Sequence, residues 1–204
     1  FWNAAVALGV SGRDLAGPAD SVSFCISKGL ACPVGSLVVG NREFIWKARR
    51  ARKLLGGGMR QVGVLAAPGL IALRDGPTGM IERLQEDHDN ARRLAEGLAE
   101  YPGIGSAGDL AQAEPGPFDP GRVRTNMVVF RVARDRAEFL SELLARGVHM
   151  LAYPNGQIRA VTHYGIEASD IDTAIAAVRD VLATTSPSPG PAAGPAGGFA
   201  GTAA

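Results

Sequence analysis

Residues 20–30 read Asp20-Ser21-Val22-Ser23-Phe24-Cys25-Ile26-Ser27-Lys28-Gly29-Leu30. Val22, Phe24 and Ile26 alternate with Ser21, Ser23, Cys25 and Ser27, the two-residue period of a strand with one buried face. Lys28-Gly29 ends the run, Pro33 turns the chain, and the β-branched stretch 36–39 predicts a second, adjacent strand. Upstream, Phe1, Ala4, Ala5 and Leu8 fall at helical spacing that Gly9 closes. Downstream, Asn41 is placed to cap a helix with Glu43 in its first turn and Lys53 near its last, and Gly56-Gly57-Gly58 stops it. Residues 61–73 predict a mostly apolar helix, expected to be buried.

Further along, Pro77 opens a long helix in which Ile81, Leu84, His88, Ala91, Leu94, Ala95 and Leu98 recur every three or four residues up to Pro102. A loop rich in Gly, Pro and Asp (103–122) follows. Strand 126–132, helix 135–146, short strands around 149–151 and 157–162, and helix 169–182 then describe a small α/β lobe. Residues 184–204 hold Pro, Gly, Ala, Ser and Thr without a charge and are expected to be disordered.

The whole chain has 204 residues, 46% of them hydrophobic and 20% charged, enough for one ordinary core or two small lobes. A net charge of +1 gives no general pull toward nucleic acid or an anionic membrane. Cys25 and Cys32, seven apart, fit neither a CxxC motif nor a zinc knuckle, so a disulfide framework is excluded and a reducing cytoplasm is the expected compartment. No apolar run reaches the ~18 residues of a membrane span, and the first segment lacks the basic start of a signal peptide. The chain begins at Phe1, within a helical pattern, and is expected to be the C-terminal part of something longer.

Three features carry chemistry. Lys28 is one of three lysines among 21 basic residues, and unlike arginine a lysine can lose its proton in an apolar site and attack a carbonyl to form a Schiff base. Otherwise it is a solvated lysine at a strand end. Lys53 and Arg60 flank Gly56-Gly57-Gly58, where backbone N–H groups and the next helix start can converge on an anion; a helix cap followed by a hinge is the plain alternative. Arg159 shares a strand face with Val161 in a segment apolar on both sides, so it needs an acid, either a bound carboxylate or a structural ion pair. Other signals fail. Residues 103–108 match GxGxxG but follow a helix rather than a strand. His88, His149 and His163 are too scattered for a metal set and read as surface or packing residues, so no metal site is expected. The basic run Lys47, Arg49, Arg50, Arg52, Lys53 reads as a solvated or subunit-facing helix.

Taken together, Asp20 to Leu30 with Pro33-Val34-Gly35-Ser36, the block Arg52-Lys53 through Gly56-Gly57-Gly58-Met59-Arg60-Gln61 with Leu65-Ala66-Ala67, and Arg159 before Val161-Thr162-His163 closely resemble the low-specificity L-threonine aldolases. These belong to the β-eliminating lyase group of fold-type I pyridoxal 5'-phosphate (PLP) enzymes. The resemblance runs from Phe1 to about Leu182. It implies an α/β fold of the PLP-dependent transferase type, with the end of the large PLP-binding domain at 1–76, an interdomain helix and small α/β domain at 77–183, and the tail at 184–204. It also implies that Lys28 carries PLP, that Lys53 and Arg60 lie near its phosphate, partly across a subunit interface, and that Arg159 binds the substrate α-carboxylate. The implied reaction cleaves a β-hydroxy amino acid such as L-threonine or L-allo-threonine to glycine and an aldehyde; the alternatives are another PLP lyase reaction on the same scaffold, such as β-elimination, and a non-catalytic remnant. The implied partners are a small amino acid substrate and further copies of the chain, a tetramer built as a dimer of dimers, with no nucleic acid and no membrane.

Departures from that family are specific. It usually has Gly-Ala where Ala31-Cys32 stand and Ala at Pro68. Its Asp-Gly-Ala-Arg motif, whose Asp pairs with the pyridine nitrogen, its ring-stacking histidine and its phosphate loop are not among these residues. The chain alone is therefore expected to be catalytically incomplete, with the apolar face of strand 21–27 in need of cover.

Overall fold

The computed structural model describes residues 1–76, 78–106 and 116–184. The expected tail lies, apart from Thr184, outside the described residues, as do residues 107 and 108 of the GxGxxG match.

Helix α1 (Trp2–Leu8) ends in a left-handed Gly9, as its spacing predicts. The polar stretch after it folds into a further short helix, α2 (Gly12–Ala16), because the Ser11 side chain accepts from the Asp14 N–H. Strands β1 (Ser21–Cys25) and β2 (Ser36–Gly40) then pair antiparallel, with Ser21 opposite Gly40 and Cys25 opposite Ser36. Asn41 caps α3 (Arg42–Leu54) by accepting from Phe44 N–H, and α4 (Gly63–Ala72) follows the glycine loop.

The long helix begins later than its predicted start, Pro77, a residue outside the described ones. It starts at Leu84 and runs to Ala99 (α5), while residues 78–83 make turns. Gly79 explains the delay: a Cβ there would lie 1.9 Å from the Arg74 carbonyl oxygen, so the chain doubles back on itself before the helix can begin.

Strands β3 (Ile104–Ser106), β4 (Met127–Val132), β5 (Leu151–Tyr153) and β6 (Gln157–Val161) form one antiparallel sheet in the order β3-β4-β6-β5. Strand β3, which occupies the first half of the GxGxxG match, was not foreseen by the pattern. β5 lies two residues later than its predicted position, because the hairpin to β6 turns on Asn155 (φ 59°) and Gly156 (φ 75°). Both take left-handed backbone, the conformation Asn-Gly favours in tight hairpins. Helices α6 (Arg136–Ala145) and α7 (Ala168–Ala183) complete the lobe, the first capped by Asp135 and the second by a Glu167–Asp170 capping box.

Two apolar cores result. The larger joins Leu94 and Leu98 of α5, Phe130 of β4, Phe139 of α6, Ile158 of β6 and Val178 of α7 on one face of the four-stranded sheet. Gly97 lets α5 and α7 approach closely, since a Cβ there would sit 2.4 Å from Ile175 Cδ1. The smaller core joins Phe24, Ile26, Leu30, Cys32, Ala72 and Leu84. Here one expectation is corrected. The apolar face of the first strand is covered from within the chain, by Phe1 stacked on Phe24 at 5.5 Å and Trp2 set edge-on to it at 5.6 Å.

Exposure falls instead on α3 and α4. No residue of α3 is buried, and α4 buries only Gly69 and Ala72, leaving Leu70 73% exposed. The expectation of a buried apolar helix at 61–73 therefore fails. Its apolar residues surround the whole helix, and no other described element faces most of them. No helix among the described residues is long and apolar enough to cross a membrane.

Candidate functional site

Lys28 does not end the strand. β1 stops at Cys25, and a closed loop follows in which Ile26 N–H donates to Gly35 O, Cys32 N–H to Ile26 O, and Ala31 N–H to Lys28 O at 2.8 Å. Lys28 sits at the corner of that loop with its side chain exposed. Gly29 does admit a close neighbour: a Cβ there would lie 3.0 Å from Leu84 Cδ2 and 3.3 Å from Asn3 Nδ2. The glycine thus seats the lysine loop against α1 and α5. Ala31 adopts φ 55°, a left-handed backbone that costs a side-chain-bearing residue about 1–2 kcal/mol. This is a position where the resembled family has glycine.

Beside the lysine, the Cys25 thiol is held below its ordinary range, chiefly by its hydrogen bond with the Ser27 hydroxyl at 3.1 Å. Burial pushes the Cys32 thiol up. Both cysteines are free.

The glycine loop does not form the expected cradle of outward N–H groups. Gly56 N–H donates to Lys53 O and Gly57 N–H to Arg52 O, which close the end of α3, while Gly58 N–H donates to Gly56 O within the loop, so all three are taken up internally. Only Gly56 has positive φ. What remains for an anion is the side chains: Lys53, whose Nζ lies over Gly58, and Arg60, both exposed.

Arg159 lies on the sheet face turned away from the helices, as does Val161, while Ile158 and Ala160 point into the core. Its register partners are Val129 on β4 and Leu151 on β5, and its guanidinium stands 5.3 Å from the Tyr153 ring. Its Nε is shielded from solvent and has no hydrogen-bond partner among the described residues. Nor does Lys28, Lys53, Arg60 or Arg159 pair with a carboxylate among the described residues. Arg83, Arg93 and Arg134 do, whereas Arg92 and Arg124, like these four, have no ion pair among the described residues. Of the two acids considered for Arg159, the structural ion pair is absent among the described residues.

The four residues do not share one cavity. Two of them, Lys28 and Arg159, are linked through the packing of α5. Gly29 rests on Leu84 and Asn3, and the His88 ring meets Asn3 Oδ1 at 2.8 Å. One residue earlier, the Asp87 carbonyl accepts from the Thr162 hydroxyl at 2.6 Å, and Asn126 Nδ2 donates to Thr162 O at 2.9 Å. Thr162 stands three residues beyond Arg159, so one turn of α5 touches both the lysine loop and the arginine strand. The fully buried Asp87 also takes a short ion pair from Arg83 Nη2, and Arg83 lies over the Tyr164 ring at 5.2 Å. None of these residues is apparent from local pattern. The Asn3–His88 pair spans 85 positions, and the only sequence clue is an Asp-His-Asp-Asn run inside an otherwise amphipathic helix.

The chain is 43% identical over 184 residues to a low-specificity L-threonine aldolase of Escherichia coli, aligning 90% of this chain with 49% of that protein. It is 38% identical over 189 residues to low-specificity L-threonine aldolase 1 of Arabidopsis thaliana, covering 90% of this chain and 48% of that one. The chain thus spans about half the length of the curated relatives it matches. Among solved structures, a Listeria monocytogenes EGD-E protein assigned as an L-allo-threonine aldolase superimposes with a TM-score of 0.62 at 16% identity, over 89% of this chain and 50% of that one. A PLP-dependent aminotransferase of Streptococcus suis 89-1591 gives 0.54 at 15% identity, over 80% and 41%. The fold is the α/β fold of fold-type I PLP enzymes, of which about half is present. With residues 1–132 matching its family model, the chain belongs to the β-eliminating lyase family.

Proposed function

We propose that this chain supplies the lysine, the phosphate-binding cations and the carboxylate-binding arginine of a PLP-dependent aldolase that splits L-threonine or L-allo-threonine into glycine and acetaldehyde. The observation that carries the reading is that Lys28, Lys53, Arg60 and Arg159, the cations the resemblance assigns to the site, each lack a carboxylate partner among the described residues. Lysine and arginine left without acids on the protein suit a ligand that brings its own phosphate and carboxylate.

The donor set fits PLP by chemistry. Lys28 offers a free amine on a loop whose backbone is fixed by three hydrogen bonds, which is what a covalent carbonyl attachment needs. Lys53 and Arg60 neutralise a dianionic phosphate. When bound, PLP supplies an electron-accepting ring that stabilises the electron pair released as the Cα–Cβ bond breaks. Arg159 holds the α-carboxylate flat between Val129 and Leu151, and Tyr153 stacked on its guanidinium keeps that plane. Overall the β-hydroxyl loses a proton as its carbon becomes the aldehyde, and Cα gains one as glycine is released. The same reading divides the chain into a PLP-binding part, 1–76, and an interdomain helix with the small domain, 77–183. The two separate apolar cores support two parts, with Leu84 at the start of α5 joining the smaller core. The exposed Trp46, Leu54, Leu55 and Leu70 on α3 and α4 support a homo-oligomer, in which a second copy covers them. Free cysteines support a cytoplasmic location.

The test is borohydride reduction of the native protein with PLP, followed by peptide mapping and an assay for aldehyde released from L-allo-threonine. A reduced adduct on Lys28, with aldehyde release lost in Lys28→Ala, is expected. An adduct on another lysine, no adduct, or release of ammonia without aldehyde overturns the reading.

A further inference from the structure

A concavity of about 370 Å³ lies between α1, α5 and the 3₁₀ turn Pro120–Arg122, and none of the four cations above lines it. Its floor is His88, 3% exposed. The His88 Nε2 meets the Asn3 amide oxygen, which only accepts, so Nε2 carries the proton and Nδ1 is left as a lone-pair acceptor. Nδ1 has no hydrogen-bond partner among the described residues, and His88 lines the concavity.

The walls carry charge of both signs. Arg92 and Glu96 follow His88 at successive turns on the same side of α5, and Arg124 stands across from them. Among the described residues none of these three has an ion-pair partner, whereas the neighbouring Arg93 is paired with Asp172 at 2.6 Å. Arg92 acts on the His88 ring and opposes its protonation, although burial is the larger cause that keeps the imidazole neutral.

We propose that this concavity binds a free α-amino acid of short side chain. Its carboxylate lies between the Arg92 and Arg124 guanidinium groups, and its ammonium donates to Glu96 and to His88 Nδ1. Two cations, one anion and one neutral acceptor around a small space match a zwitterion. A simple anion would meet Glu96 repulsively and leave Nδ1 unmet. Val6 and Val123 offer an apolar wall to a methyl-sized side chain. The proposal does not rest on the aldolase reading, because it uses no residue assigned to PLP or substrate.

The experiment follows the His88 ring nitrogens by ¹⁵N NMR in the full chain without added PLP, titrating L-alanine and glycine, with acetate and methylammonium as half-ligand probes. Saturable movement of the Nδ1 resonance by the amino acids is expected, weakened about tenfold or more in Arg92→Gln and in Arg124→Gln, whose exposed positions leave the core untouched. Arg159→Lys is expected to leave that response unchanged, which separates this site from the proposed substrate arginine. No movement of His88 at tens of millimolar amino acid overturns the proposal. So does binding of acetate as tight as that of L-alanine.

Discussion

Helices α4 and α6 each have ten residues, and their compositions predict the opposite of their burial. α4, Gly-Val-Leu-Ala-Ala-Pro-Gly-Leu-Ile-Ala, has no charge, yet Val64, Leu70 and Ile71 face solvent. α6 has four polar residues, three of them charged, yet Phe139 and Leu143 are completely buried. The difference lies in what stands opposite. The apolar residues of α6 point at a sheet face and α7, both supplied by the nearby chain. Those of α4 point in all directions, and only a short arc meets the small core around Ile26. A hydrophobic sequence states that cover is wanted. Only an amphipathic one states that the local lobe provides it.

The comparison breaks if truncations on the two helices cost the same. Phe139→Ala is expected to lose about 3–5 kcal/mol and Leu70→Ala less than about 0.5 kcal/mol, read as urea midpoints on the isolated chain. Equal losses would mean that α4 is packed in solution against something absent from this picture. The joint between the two regions is the next lever. Thr162→Val keeps shape but leaves the Asp87 carbonyl without its buried donor, for an expected cost of about 1–3 kcal/mol; Thr162→Ser should restore most of it. A change below about 0.5 kcal/mol would show that the α5 contact does not tie the arginine strand down.

Smaller effects sharpen the picture of the lysine loop. Ala31→Gly relieves the left-handed backbone and is expected to stabilise by about 1 kcal/mol, the reverse of the usual penalty for introducing glycine. A loss on substitution would place Ala31 in ordinary backbone. The smallest effect concerns pH. Burial holds the His88 imidazole below its ordinary value of 6.5, helped by Arg92 and opposed by Asp87 and Asp89. As pH falls through about 6.5 the unfolded chain takes up this proton and the folded one does not, so His88's share of stability is whole above that pH and declines below it. Its slope is at most about 1.4 kcal/mol per pH unit, and His88→Gln should remove it from the pH dependence of the urea midpoint. An unchanged profile would mean that the ring titrates freely.

Much of the fold was legible because its signals are local. The alternation at 21–27, the Asn41 cap and the three-and-four spacing of Leu84, Ala91, Leu94 and Leu98 each act within a turn or two of chain. The late start of α5 was not legible, since Gly79 matters only when Arg74 is folded back onto it. Strand β3 was not legible either: three residues carry no period, and their identity as a strand comes from β4 beside them. Of the candidate site, the reactive types were visible in Lys28, Lys53, Arg60 and Arg159. Whether Arg159 met an internal acid was not, because an ion pair across the fold leaves no trace in local spacing.

The sequence by itself determined the family and the chemical inventory. One scarce lysine in a Ser-Lys-Gly turn, a basic glycine loop and an arginine in a short apolar strand are matters of residue type and order, which survive without coordinates. The tertiary structure decided which polar groups are satisfied. It closed the Gly56 and Gly57 N–H groups onto the end of α3, left Lys28, Lys53, Arg60 and Arg159 without a carboxylate among the described residues, and turned His88 from a scattered histidine into part of the lining of a polar concavity. Hydrogen bonding and desolvation depend on distances between residues far apart in the chain, as Asn3 and His88 are, and those distances exist only once the chain has folded.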